Sequence, residues 1–442
     1  MIRSPYISRR GFVQGAGAAG AAALTGVPAA WAQVDYKKFA GTKIEANLIK
    51  GPRGELLQRH LKEFTDLTGI TVESEVIPEQ QQRQKAVIEL ASGKPSFDVV
   101  HLSYHVQKRQ FEKAGWLADI TDFMKDPKLT GSDLIESDFS AAGLAYAKSD
   151  KGRMHSLPWS VDYFILYYNK EIFEKNKVTP PKTLDEMNEL AAKLTDEKAG
   201  VFGYVGRGLR NANMTLWTNY YLNYGGEFLD AKGDILTDGP EAIEATKSYV
   251  RSNKSSPPGV AGFNWMEALA SFAQGRAAMW LDGVGWAPGV ENPNSSRIVG
   301  KVGYTTFPAG PKGRFSATYG DGIGIAAASQ KKEAAYLFCQ WAVSKQMNAR
   351  LLQSGGGVPF RNSVLNDEET RSGVKLPREW MQSVIDSAKI SKLGLPVIIP
   401  VAEFRDIVGA AVTATLAGAD PATELKKAHE QFRPILERSE KG

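Results

Sequence analysis

Apolar and polar positions first alternate along the chain and then recur at helical spacing, in an order that builds a parallel sheet. Residues 44–49 read as a strand, and residues 55–67 as a helix with Leu57, Leu61 and Phe64 on one face and Gly69 as its stop. Ile70, Val72, Ser74 and Val76 alternate with polar neighbours as a second strand; residues 79–91 form a helix ending before Gly93; and residues 97–100 are a short buried strand. The order is βαβαβ, whose crossovers are right-handed. Ligands of such open sheets sit beyond the carboxyl ends of the strands, here residues 50–53 and 101–105.

Further along, from Trp159 to Trp286, the chain becomes rich in Trp, Tyr, Asn and Gly. Thr183 with Glu186 and Asn264 with Glu267 read as capping boxes that open helices. Asp420 before Pro421 reads as the N-cap of a last helix running to about residue 438. Roughly 400 residues remain beyond the leader described below, more than one core usually serves, so two lobes are expected. No long linker separates them, so the chain is expected to cross between lobes more than once.

Composition changes the picture at the N-terminus. Ser8-Arg9-Arg10-Gly11-Phe12-Val13 precedes a weakly apolar Ala/Gly stretch, and Ala30-Trp31-Ala32 offers small residues for cleavage before Gln33. The pattern resembles a twin-arginine signal, with Gln14 where that pattern often carries lysine. Residues 1–32 are therefore expected to leave on export to the periplasm. The net charge of +5 loses Arg3, Arg9 and Arg10 with that segment, leaving about +2, too small a balance to argue for nucleic acid. The single cysteine, Cys339, lies in an apolar run and reads as a buried thiol.

Flat aromatic rings beside amides, carboxylates and guanidiniums are the chemistry that holds a sugar or polyol, which has a CH face and a rim of hydroxyls. The chain pairs these types repeatedly: Trp159 with Asp162, Asn211 and Asn213 with Trp217, Trp280 with Asp282 and Trp286, and Tyr319 with Asp321. Each aromatic also has a bland reading as packed core, and Asp162 has one as a loop-capping acid. Tyr104 and His105 follow a buried strand at its carboxyl end, with a solvated loop as the alternative. Lys50, Arg53, Arg207, Arg210, Arg361 and Arg405 leave an acidic or phosphorylated sugar open as a second ligand class. Arg361 is either a ligand contact or a pin on the Gly355-Gly356-Gly357 turn.

Catalysis finds no support. Asp162, Asp282 and Asp321 have no spacing that pairs them as a glycosidase would require. Nucleophile-elbow, zinc-protease and Cys-x-x-Cys motifs are missing, the five histidines are scattered, and Gly320-Asp321-Gly322-Ile323-Gly324 contains Gly-x-Gly but lacks the further glycine three positions later that a phosphate fingerprint needs. Neither cofactor nor metal is expected.

Four segments resemble the family 1 extracellular solute-binding proteins: Leu157 to Asp162 running through Leu166-Tyr167-Tyr168-Asn169-Lys170 to Pro181-Lys182-Thr183; Phe272 to Met279 ending at Gly283; Ala335 to Ser344; and Gly356 to Ser363. The resemblance implies an α/β, two-lobed periplasmic-binding-protein fold of type II, each lobe a mainly parallel sheet flanked by helices, joined by a multi-strand hinge. Lobe boundaries of 33–159 with 317–362, and 160–316 with 363–442, go with it, the hinge falling near 158–161, 311–317 and 361–365. It further implies a monomer that takes a sugar or polyol into its cleft for an ABC permease. Family position places Asp162 as a ligand-facing acid, the 210–217 segment as polar and aromatic contacts, Trp286 near a platform tryptophan, and Arg405 as a candidate on a helix otherwise expected to face solvent.

Overall fold

The computed structural model describes residues 34–441, so the expected leader and its cleavage point lie outside the described residues. β1 (Lys43–Ile49) pairs in parallel with β2 (Thr71–Ile77) on one side and β3 (Val99–Ser103) on the other. The intervening helices are Pro52–Thr68 and Glu79–Ala91, as the periodicity predicts. The first starts earlier than expected because Pro52, whose missing N–H costs nothing at a helix start, takes the first turn. It ends at Gly69, φ 72°, where a side chain would strain the backbone and bring a Cβ within 2.7 Å of the Ala40 Cβ. β3 sits two residues later than its apolar run suggests. Asp98 is held outside the strand by accepting from Glu45 N at 3.0 Å and Ser329 Oγ at 2.7 Å.

Two long strands carry the chain across the molecule. β4 (Ser156–Asn169) pairs antiparallel with β7 (Ser316–Ile325) through its first half, then with β5 (Met279–Gly283) and β6 (Val302–Thr306) through its second. β7 pairs with β9 (Ser391–Leu393) at its start and with β3 at its end. A short β8 (Val358–Pro359) joins β4 at Ser160 and Val161. Among the strands named here, the parallel ladders are β2-β1-β3 and β7/β9, with single parallel bridges such as Val205 to Trp280 beside β5; β4 meets β5 and β6 antiparallel.

The continuous apolar run Tyr163 to Tyr168 follows from burial on both faces of β4. Phe164 and Leu166 enter one core with Trp217, Tyr221 and Phe404, whereas Ile165 and Tyr167 enter the other with Phe272, Trp280 and Trp380. Both capping boxes form, Thr183 with Glu186 and Asn264 with Glu267. The last helix is Pro421–Lys441, with Asp420 accepting from Thr423 N at 2.9 Å. Cys339 is buried and unpaired, and burial pushes its thiol pKa up. No helix among the described residues is long and apolar enough to cross a membrane.

Candidate functional site

Where β4 and β7 run side by side, one arginine gathers groups from both. Arg53, in the first turn of the helix after β1, donates from Nε to Ser160 Oγ at 2.6 Å and from Nη2 to Asp162 Oδ2 at 2.5 Å, and its Nη1 forms an ion pair with Asp321 Oδ2 at 2.8 Å. His101, on β3, accepts from Ile49 N at 3.3 Å through Nδ1, which leaves the proton on Nε2, 3.4 Å from Asp321 Oδ2. Its ring packs on Trp159 at 4.9 Å. Burial alone would raise the Asp321 carboxyl, but Arg53 and then His101 hold it well below the usual range. At Asp162 burial outweighs Arg53, and the carboxyl is raised. The other Asp162 oxygen, Oδ1, is buried without a hydrogen-bond partner.

Beside Asp162 lies an aromatic stack. Trp286 and Trp265 are parallel within 9° at 4.0 Å. The turn that delivers Trp286 is tight against the acid: a Cβ at Gly285 would sit 2.9 Å from Asp162 Oδ1, and one at Gly283 would lie 3.5 Å from Trp286 Nε1 and 3.8 Å from Asp162 Cβ.

The remaining charges are mostly paired. Arg207 grips Asp282 with two bonds, Nε to Oδ2 at 2.9 Å and Nη2 to Oδ1 at 2.5 Å, and donates to Thr215 Oγ1 at 3.1 Å. Arg83 bonds Glu79 on the preceding turn of its helix and Ser103 Oγ at 2.9 Å. His105 donates from Nδ1 to Gly320 O at 3.3 Å and turns Nε2 to Arg83 at 3.4 Å, and burial with Arg83 pushes its pKa down to about 3. Arg405 differs. It is 5 % exposed, reaches Asn211 O at 3.1 Å, and keeps an unbonded Nε; burial and Arg83 push its pKa down to about 10. Asn211 supplies that carbonyl from a left-handed conformation, φ 72°, which asparagine tolerates better than most residues.

Several expected contacts lie elsewhere. Trp217 is core: it is fully buried, stacks on Tyr221 at 5.0 Å and donates to Thr246 Oγ1 at 2.8 Å. Trp280 is fully buried against Tyr167 and Phe272; it shares its face of β5 with Asp282 but packs into the core. Asn213 ties its loop to Gly409 O and Thr413 Oγ1. Tyr104 stacks on Tyr146 at 5.2 Å and bonds Ser156 Oγ, since the residues after β3 form a helix, Tyr104–Lys113, rather than a loop. Trp159 is packed behind His101. Arg361 has 0 % exposure and is held by Asp138, Asp133 and the Val343 carbonyl, not by the glycine turn. Arg405 is buried rather than solvent-facing. Lys50 and Arg210 are exposed.

Arg53, Asp162, Asp321, His105, Tyr319, Asp282, Trp286, Asn211 and Arg405 remain in or against the cluster. Tyr319 supports it, its hydroxyl bonded to Thr218 Oγ1 and Thr215 O, both at 2.6 Å, and its ring against His105 at 5.3 Å. Residues of the cluster that the sequence reading does not single out are His101, Glu79, Arg83, Ser160 and Trp265. His101 falls within the predicted strand end, and Glu79 and Arg83 have the spacing of a helical ion pair; Trp265 was masked by the capping role of its neighbour Asn264.

Two halves joined by crossing strands, with a polar and aromatic cluster at the crossing, define a ligand-binding class of protein. The chain belongs to the bacterial extracellular solute-binding protein family, whose model matches residues 50–349, and it has the type II periplasmic-binding-protein fold. It is 29 % identical to a probable amino-acid ABC transporter periplasmic-binding protein of Sinorhizobium fredii, over 75 % of this chain and 76 % of that one. The erythritol/L-threitol-binding protein of Mycolicibacterium smegmatis is 26 % identical over 87 % of this chain and 88 % of its own. An ABC transporter solute-binding protein of Agrobacterium radiobacter, solved with ribitol, superposes with a TM-score of 0.81 at 27 % identity, covering 90 % of this chain and 99 % of that one.

Proposed function

We propose that this chain is the capture subunit of an ABC importer, taking a small neutral polyol or sugar between its two halves and delivering it to the permease. The carrying observation is the pairing of charge in the cluster. Arg53, Arg83, Arg207 and Arg405 face Glu79, Asp162, Asp282 and Asp321, and His105 is neutral. Positive and negative groups balance, so an anionic sugar meets no surplus of guanidinium. Among the unpartnered buried atoms of the cluster are an acceptor at Asp162 Oδ1, on the side of the Trp286–Trp265 stack, and a donor at Arg405 Nε. Those are the needs of hydroxyls on a carbon chain with an apolar face. The names of the erythritol and ribitol binders agree with this chemistry.

The pairing also argues against hydrolysis, because each acid is engaged by arginine rather than left to act as acid or nucleophile. We further assign the halves 33–159 with 317–362 and 160–316 with 363–442 as lobes, which the ligand draws together by touching both. Export by the twin-arginine route belongs to the same reading.

A thermal-shift screen of the chain from Gln33 against polyols, neutral sugars, sugar acids, sugar phosphates and amino acids tests it, since a ligand of the folded state raises the midpoint. A shift with a neutral polyol or sugar is expected. Shifts confined to anionic compounds or amino acids contradict the ligand class, and turnover of a glycoside contradicts the binding role.

A further inference from the structure

Arg53 holds three side chains on two strands. Ser160 and Asp162 belong to β4 and Asp321 to β7, and these strands change partners on either side of that point. One guanidinium therefore spans two carboxylates, a buried one at Asp321 and a half-buried one at Asp162. We propose that Arg53 is the positioning residue of the cleft: it lets Asp162 and Asp321 stay ionised side by side and fixes Asp162 so that Oδ1 remains an acceptor for a ligand hydroxyl.

The alternatives for that task are few among the described residues. His101 approaches Asp321 alone, at 3.4 Å, and His105 is turned to Gly320 O and Arg83. Asp282 and Glu79 add negative charge nearby, but Arg207 and Arg83 respectively engage them. Without Arg53 the two acids face each other in a buried setting, and like charges so placed drive one of the pair to take up a proton. The folded-state pKa of the pair then lies above its unfolded value, so stability falls as pH rises through it.

This inference deepens the proposed function, and ligand-free protein tests it, so failure of one does not imply failure of the other. Thermal midpoints are measured from pH 5 to pH 8 for wild type, Arg53→Lys, Arg53→Met and the double variant Arg53→Met/Asp162→Asn. Wild type and Arg53→Lys are expected to show parallel profiles. Arg53→Met loses several degrees as pH rises relative to them, and the double variant, with one charge removed, runs parallel to wild type again. A parallel profile for Arg53→Met, or a double variant as steep as the single, overturns the assignment. If Arg53→Met does not fold, recovery of the fold in the double variant supports the assignment and no recovery overturns it.

Discussion

Replacing Arg361 by Met separates a structural pin from a ligand contact. Arg361 is wholly buried, bonded from Nε to Asp138 Oδ2 at 2.7 Å and from Nη1 to Val343 O at 3.3 Å, with Asp133 engaged through both its carboxylate and its carbonyl. Breaking a buried pair by removing one partner costs about 3–5 kcal/mol. The lower end applies, because Asp138 retains bonds from Ser363 N at 2.7 Å and Ser363 Oγ at 2.6 Å. At an m-value of about 3 kcal/mol per molar urea, a loss of about 3 kcal/mol lowers the midpoint by roughly 1 M. Ligand affinity of the folded variant stays within about threefold of wild type.

A second reading comes from pH. Burial raises the Asp138 carboxyl, but Ser363 and Arg361 together hold it below its ordinary value. A carboxyl depressed in the folded state contributes stability above its unfolded pKa, about 3.9, and loses it as pH falls. The gap in urea midpoint between variant and wild type therefore narrows below about pH 4. Urea unfolding followed by fluorescence and calorimetric titration of ligand give both quantities. An unchanged urea midpoint with a dissociation constant raised more than about tenfold would refute the reasoning and return Arg361 to the ligand.

The two tryptophans near β5 are expected to divide in the same way. Trp280→Ala costs about 3–5 kcal/mol of stability and leaves affinity nearly unchanged, whereas Trp286→Ala weakens binding about tenfold or more with a much smaller stability loss; the same two assays check this. His105, with its pKa depressed to about 3, contributes stability that is present above the unfolded value of about 6.5 and is lost as pH falls below it. The midpoint of His105→Gln should decline less steeply than that of wild type between pH 6.5 and pH 4; identical slopes count against the assigned burial.

The first sheet was legible because β1, β2 and β3 and their helices obey simple periodicities with glycine stops, and the capping boxes at Thr183 and Asn264 are local. Pairing at the crossing was not. That β4 exchanges β7 for β5 and β6 midway depends on contacts far apart in sequence, and the apolar run Tyr163 to Tyr168 reads only as buried on both faces. At the site, Asp162, Asp321, Arg53 and Trp286 were found as residue types suited to polyols. Composition could not tell that Arg207 is spent on Asp282, or that Trp217 lies inside a helix buried on every side. The error at Arg361 has the same origin: a basic residue after a glycine turn looks available until its partners, Asp133 and Asp138, arrive from over 200 positions away.

Calorimetric titration of the best neutral polyol or sugar from the screen into wild type and Asp162→Ala tests the central claim most directly. The account predicts saturable one-to-one binding to wild type and an affinity about 10–100-fold lower for the variant, the loss expected when a charged hydrogen-bond acceptor is removed. Equal affinity in the two proteins, or binding only of an amino acid or a phosphorylated sugar, would contradict it.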